Sequence, residues 1–126
     1  MLVETIGGVV EIHVKAERDE VPVRGNARCS GDAALDAEAE DCILAELRRG
    51  NVWAWACVEV KAIIKGTEIL TSAHLGCCSY DNRQQFLEGD YFKDMKKACL
   101  EQLQQEARKV AQGLNVIETY LNGGMN

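Results

Sequence analysis

Val52, Ala54, Ala56, Val58, Val60, Ala62 and Ile64 occupy every second position without a break, the period of a strand with one buried face. Gly66-Thr67 interrupts the run, and a second extended segment returns from Glu68. The spacing predicts strands over about 52–65 and 68–80 joined as a β-hairpin. With Gly66-Thr67 as the loop, Val58 faces Leu75, Val60 faces Ala73 and Ile64 faces Ile69 on an apolar face. The opposite face then pairs Trp53 with Tyr80, Trp55 with Cys78, Glu59 with His74 and Lys61 with Ser72. A one-residue slip would turn every side chain to the wrong face, so the pattern fixes its own register.

The same reading extends outward. Val10, Ile12, Val14 and Ala16 alternate with Glu11, His13, Lys15 and Glu17, which predicts a strand near the N-terminus, with Gly7-Gly8 as its turn. That two-residue turn would place Glu4 opposite Glu11. Residues 18–31, with Pro22, Gly25, Asn26 and Gly31, read as a connecting loop. A helix is expected over about 33–49, capped by Ser30 or Asp32 and burying Leu35, Ala39, Cys42, Ile43 and Leu47. A short helical turn follows near 82–87. Asp90 is expected to cap a long helix over about 91–112 that buries Phe92, Met95, Cys99, Leu103, Ala107, Val110 and Leu114 and stops at Gly113. A final strand is expected over 115–121, then a frayed tail from Asn122 to Asn126. Together these elements describe one α+β domain spanning 1–126, an antiparallel sheet with its two main helices packed on one face.

Composition narrows the function. The 126 residues are 47% hydrophobic and 27% charged, values of a globular domain. Twenty acidic against fourteen basic residues give a net charge of −6, which argues against direct binding to a nucleic-acid backbone. No apolar run approaches the roughly 20 residues of a membrane span, and Met1-Leu2-Val3-Glu4 lacks the basic flank and apolar stretch of an export signal. The expected setting is the bacterial cytosol, with the six cysteines, at 29, 42, 57, 77, 78 and 99, reduced.

Few residues suggest chemistry. The chain has two Trp, three Tyr and two Phe, and the hairpin register gathers Trp53, Trp55 and Tyr80 on the face away from the helices, beside Glu59, Lys61 and His74. Such a patch is covered internally, forms a homodimer seam, or contacts a partner or ligand. His74, Cys77 and Cys78 resemble a metal cluster, but His74 and Cys78 lie roughly 13 Å apart along a strand, and no four-ligand set is visible. Glu59 opposite His74 resembles an acid–base pair, yet such a pair is commonly a surface ion pair. No nucleophile elbow, P-loop or dinucleotide-binding glycine motif occurs. No cofactor, metal or enzymatic activity is therefore expected. The acids Asp36 and Glu40 of the first helix form a candidate acidic face that could mimic phosphates.

Arg24-Gly25-Asn26-Ala27, Ser30-Gly31-Asp32, the stretch Gly50–Val58, Leu75-Gly76-Cys77-Cys78-Ser79-Tyr80 and Tyr91-Phe92-Lys93-Asp94-Met95 resemble a group of small bacteriophage and mobile-element proteins. That group shares an Asn-x-Trp-Ala-Trp strand, a Leu-Gly-x-Cys-Ser-Tyr strand and a Tyr-Tyr/Phe-x-Asp-Met helix start. The likeness covers roughly residues 24–100 and carries no catalytic residue. It implies a biological setting in which small acidic proteins bind and block host machinery. The expectation is a non-enzymatic accessory protein that inhibits a host protein or ribonucleoprotein defence complex, in the manner of an anti-CRISPR protein. Two alternatives stand beside it. One is a sponge for a nucleotide-like immune signal, using Trp53, Trp55 or Tyr80 as stacking rings and Lys61, His74, Arg83 or Arg108 for phosphates. The other is a homodimeric structural accessory protein whose seam is the aromatic face.

Overall fold

The computed structural model describes residues 1–27 and 30–123. The expectations for Cys29 and for the tail from Gly124 lie outside the described residues. Four strands, β1 (Leu2–Ile6), β2 (Val10–Arg18), β3 (Ala56–Ile64) and β4 (Leu70–Cys78), form one sheet in the order β1-β2-β3-β4. Every neighbouring pair is antiparallel. Three helices accompany it, α1 (Ala33–Arg48), α2 (Arg83–Leu87) and α3 (Asp90–Leu121). The architecture is α+β, as the pattern predicts.

The hairpin register holds from Val58↔Leu75 through Glu59↔His74, Val60↔Ala73 and Lys61↔Ser72 to Ile63↔Leu70. The period-two row is the floor of the core: Ala56, Val58, Val60 and Ala62 are all fully buried. Small side chains there let α3 lie close, and Cys99 sits directly on the strand, its Sγ 3.4 Å from the Val60 carbonyl oxygen. Thr71 is also buried, and its hydroxyl donates to the Cys99 carbonyl at 2.7 Å, so the polar atom is satisfied inside the helix–sheet seam.

Several expectations are corrected. First, β3 begins at Ala56; residues Val52–Ala54 form a 3-10 turn, capped by the Asn51 side chain, which accepts from the Trp53 amide at 3.2 Å. Second, the register shifts between Ala56 and Val58, so Cys78 faces Ala56 instead of Trp55. Two residues of β4, Gly76 and Cys77, lie opposite the single residue Cys57 in this β-bulge, and Cys77 takes a positive φ of 53°. The extra residue reverses the alternation, burying Cys78 and exposing Cys77. Third, the N-terminal turn takes in Val9 as well as Gly7-Gly8, so Glu4 pairs with Ile12 and Thr5 with Glu11. This avoids the like-charge pair, and Glu4 instead meets Lys96 of α3 at 2.9 Å.

Fourth, α3 runs through Gly113 to Leu121, so no strand forms over 115–121. One helical glycine costs only about 1 kcal/mol relative to alanine, and Val110, Leu114, Ile117 and Leu121 continue the 3-4 apolar spacing across it. The helix cap is Gly89, not Asp90, which occupies the first turn. Asp32 does cap α1, accepting from the amides of Ala34 at 3.0 Å and Leu35 at 3.3 Å.

The main helix-to-sheet packing is made by α3, while α1 packs at the end of the sheet against the 3-10 turn. Its buried side is rotated from the expected stripe. Leu35 and Cys42 are exposed, Ile43, Leu44 and Leu47 are half-buried, and Glu40 is buried. At about 100° per residue these last four cluster on one side, and Leu35 and Cys42 lie well off it.

Candidate functional site

The aromatic face expected on the sheet does not form. Trp53 belongs to the 3-10 turn, and its ring packs on Phe86 with centroids 5.5 Å apart. Tyr80 meets the same ring edge-on at 5.3 Å, and Phe92 of α3 closes the cluster at 5.7 Å from Phe86. Phe86 itself, on α2, is fully buried. Burial also raises the Tyr80 phenol above its ordinary range. Trp55 is 2% exposed, and its indole N–H donates to the Val21 carbonyl at 2.7 Å. Trp55 is thus covered internally, whereas Trp53 and Tyr80 are half-buried around Phe86.

Asp19 ties this region together. Its backbone N–H donates to the Trp55 carbonyl at 3.0 Å, extending β2 past Arg18. Its carboxylate accepts from the Val21 amide at 2.9 Å and from the Cys77 amide, at the bulge, at 2.7 Å. A side chain at Gly76 would meet that same carboxylate at 3.1 Å, so Asp19 would have to give by a few tenths of an ångström to admit one. The Cys77 amide and then the Val21 amide lower the Asp19 pKa below its ordinary value of 3.8. Stabilisation from such a group is present above its unfolded pKa and is lost as pH falls through the lower folded one. Asp19→Ala should therefore cost about 0.5–1.5 kcal/mol at neutral pH, because water can reach both amides it leaves, and the difference from the unsubstituted protein should shrink on acidification below about pH 4. Urea titrations of both proteins at several pH values measure this; a pH-independent difference would remove the carboxylate from the account.

The acidic pair on α1 is also engaged internally. Glu40 accepts from the Gly25 amide at 2.6 Å and from Arg24 at 3.3 Å, while Asp41 takes the other arm of the Arg24 guanidinium. Asp36 accepts from the Ser30 hydroxyl at 2.7 Å. These carboxylates fasten the loop after β2 to α1, so Asp36 and Glu40 do not form a free phosphate-like face.

Glu59, Lys61 and His74 stay where the register predicts, on the face away from α3. His74 Nε2 lies 3.0 Å from Glu59. On the adjacent strand His13 faces Lys61 and Lys15 faces Glu59, with His13 3.2 Å from Glu11 and Lys15 2.8 Å from Glu17. Both histidines of the chain thus lie on one mixed-charge sheet face. The exposed side chain of His74 and the half-buried one of Glu59 describe a surface hydrogen-bonded pair rather than an acid and base in a pocket.

Among the described residues the sulfur atoms do not assemble a centre either. Cys42, Cys57, Cys77, Cys78 and Cys99 are free thiols. Burial pushes the Cys78 thiol up to about 11, leaving it protonated at neutral pH. Among the described residues, no three His, Cys, Asp or Glu side chains converge as a metal site, and no helix is long and apolar enough to cross a membrane.

A feature the sequence reading missed is the reach of α3. Residues 108–121 are exposed throughout, a projection of about 20 Å beyond the packed part of the helix. Where α3 leaves the sheet, a groove of about 560 Å³ opens between it and the strand ends at Val10 and Ile64. The unbroken 3-4 spacing through Gly113 was the available signal.

Comparison with protein-family models, with curated proteins and with solved structures finds no match.

Proposed function

We propose that this chain is a non-enzymatic accessory protein of a bacteriophage or mobile element that binds and inhibits a host defence complex in the cytosol, using the sheet face that carries Glu59, Lys61 and His74. The observation that carries the reading is the two-sidedness of the sheet. One face is packed under α3, and the other presents Glu11, His13, Lys15, Glu17, Glu59, Lys61 and His74 in fixed register. A rigid array of alternating charges gives a partner orientation and specificity. The net charge of −6 steers the protein toward basic surfaces, such as the nucleic-acid channel of a ribonucleoprotein.

The test is capture of a host complex from bacterial lysate with the tagged protein, followed by titration of that complex's own activity. The unsubstituted chain should retain one stoichiometric complex and inhibit it. The variant Lys61→Ala/His74→Ala should fold normally, because both side chains lie on the face away from α3 and neither change sets like charges opposite each other. It should lose at least tenfold in affinity if these groups sit at the centre of the contact. Undiminished inhibition by the variant would exclude this face, and a complex captured without being inhibited would exclude the inhibitor reading.

A further inference from the structure

The projecting half of α3 has its own pattern. Leu100, Leu103, Ala107, Val110, Leu114, Ile117 and Leu121 alternate at spacings of three and four, the seam of a coiled coil sustained over three heptads. Leu103 is buried against the sheet, whereas Val110, Leu114, Ile117 and Leu121 are 41%, 55%, 52% and 73% exposed. The stripe that faces the core in the first half of the helix therefore continues into solvent in the second.

We propose that this seam is the interface of a two-fold symmetric dimer, in which the projecting end of α3 lies antiparallel along the groove beside α3 of a second copy. Three observations select a second copy as the occupant. The first is length: the groove follows residues 93–107 of the helix, and the projection covers 108–121, a closely matching span. A two-fold axis between Ala107 and Val110 lays each projection along the other's groove, as an isologous contact requires. The second is apolar match: this alignment sets the half-buried Leu100 opposite the partner's Ile117 and the half-buried Ala107 opposite the partner's Val110, joining seam to seam.

The third is charge. The groove is rimmed by Lys93, Lys96 and Lys97. Lys96 is already held by Glu4 at 2.9 Å and lies over the Phe92 ring at 5.6 Å. Lys97 occupies the flank of the seam, and the same alignment brings the partner's Glu118 to it. In an antiparallel pair those flanking positions face each other, so the contact is made twice. The dimer leaves the face carrying Glu59, Lys61 and His74 untouched, so it neither requires nor excludes the role proposed above.

The experiment is the mass of the purified full chain by sedimentation equilibrium across a concentration series, which involves no host partner. The expected result is a reversible shift from the 13.9 kDa chain to twice that mass. Ile117→Glu, at an exposed position, should weaken association at least 100-fold while leaving thermal unfolding of the monomer unchanged. Lys97→Glu and Glu118→Lys should each weaken it roughly 3- to 30-fold through the two symmetry-related pairs, and combining them should restore it. A single-chain mass up to about 1 mM would overturn the proposal, as would a dimer indifferent to Ile117→Glu. Failure of the combined charge exchange to restore association would overturn the antiparallel alignment.

Discussion

Phe86→Ala is expected to destabilise the domain by about 3–5 kcal/mol, a large part of the stability of a chain this size. Phe86 is the largest fully buried side chain, and three aromatic rings surround it. Those rings come from three places in the chain: Trp53 from the 3-10 turn, Tyr80 from the segment after β4 and Phe92 from the first turn of α3. Trp53 and Tyr80 are further tied by the Tyr80 amide, which donates to the Trp53 carbonyl at 2.8 Å. Removing the central ring leaves a void that backbone held this way cannot collapse to fill, so the cavity cost adds to the lost transfer energy. Urea unfolding followed by tryptophan fluorescence measures it, with Tyr91→Ala, 61% exposed, as the control expected within about 0.5 kcal/mol of the original. A loss below about 1 kcal/mol would mean that α2 is not an integral part of the core.

That cluster marks how far the sequence could be read. The β3–β4 register was legible because small apolar residues alternate from Ala56 to Ile64 and any slip would bury Glu59 and Lys61. The reading failed where the same alternation persists without a strand. Val52 and Ala54 fit the period, yet Asn51 caps a 3-10 turn there and turns Trp53 inward. Beyond Leu75 the failure is one inserted residue: the bulge depends on Asp19, which lies 58 positions away from Cys77, and no local pattern reports so distant an acceptor. Glu40 was misplaced for a related reason. A carboxylate counts as a surface residue until the Gly25 amide that satisfies it is known. Of the candidate site, Glu59, Lys61 and His74 were placed correctly because only strand register decides them. The pairing of β2 with β3 was not readable, since both strands have the same alternation and nothing local says which edges meet.

Trp55→Ala should cost a similar 3–5 kcal/mol, and its comparison with Trp55→Phe separates packing from hydrogen bonding. The indole is 2% exposed and donates to the Val21 carbonyl at 2.7 Å, while the Trp55 carbonyl accepts from the Asp19 amide at 3.0 Å. One residue thus joins the start of β3 to the loop that follows β2, by its side chain and by its backbone. Phenylalanine retains much of the apolar body but leaves the Val21 carbonyl without its donor, a loss of about 1–3 kcal/mol. Asp19 acts on the same segment from the other side, through the Val21 amide and the bulge at Cys77. The effects of Trp55→Phe and Asp19→Ala should therefore fall short of additivity, because either change frees the segment that the other residue holds. A double-mutant cycle in urea should give a coupling of at least about 0.5 kcal/mol. Strict additivity would show that the loop is fixed to the sheet independently at each point, and that the bulge does not depend on the tryptophan's anchorage.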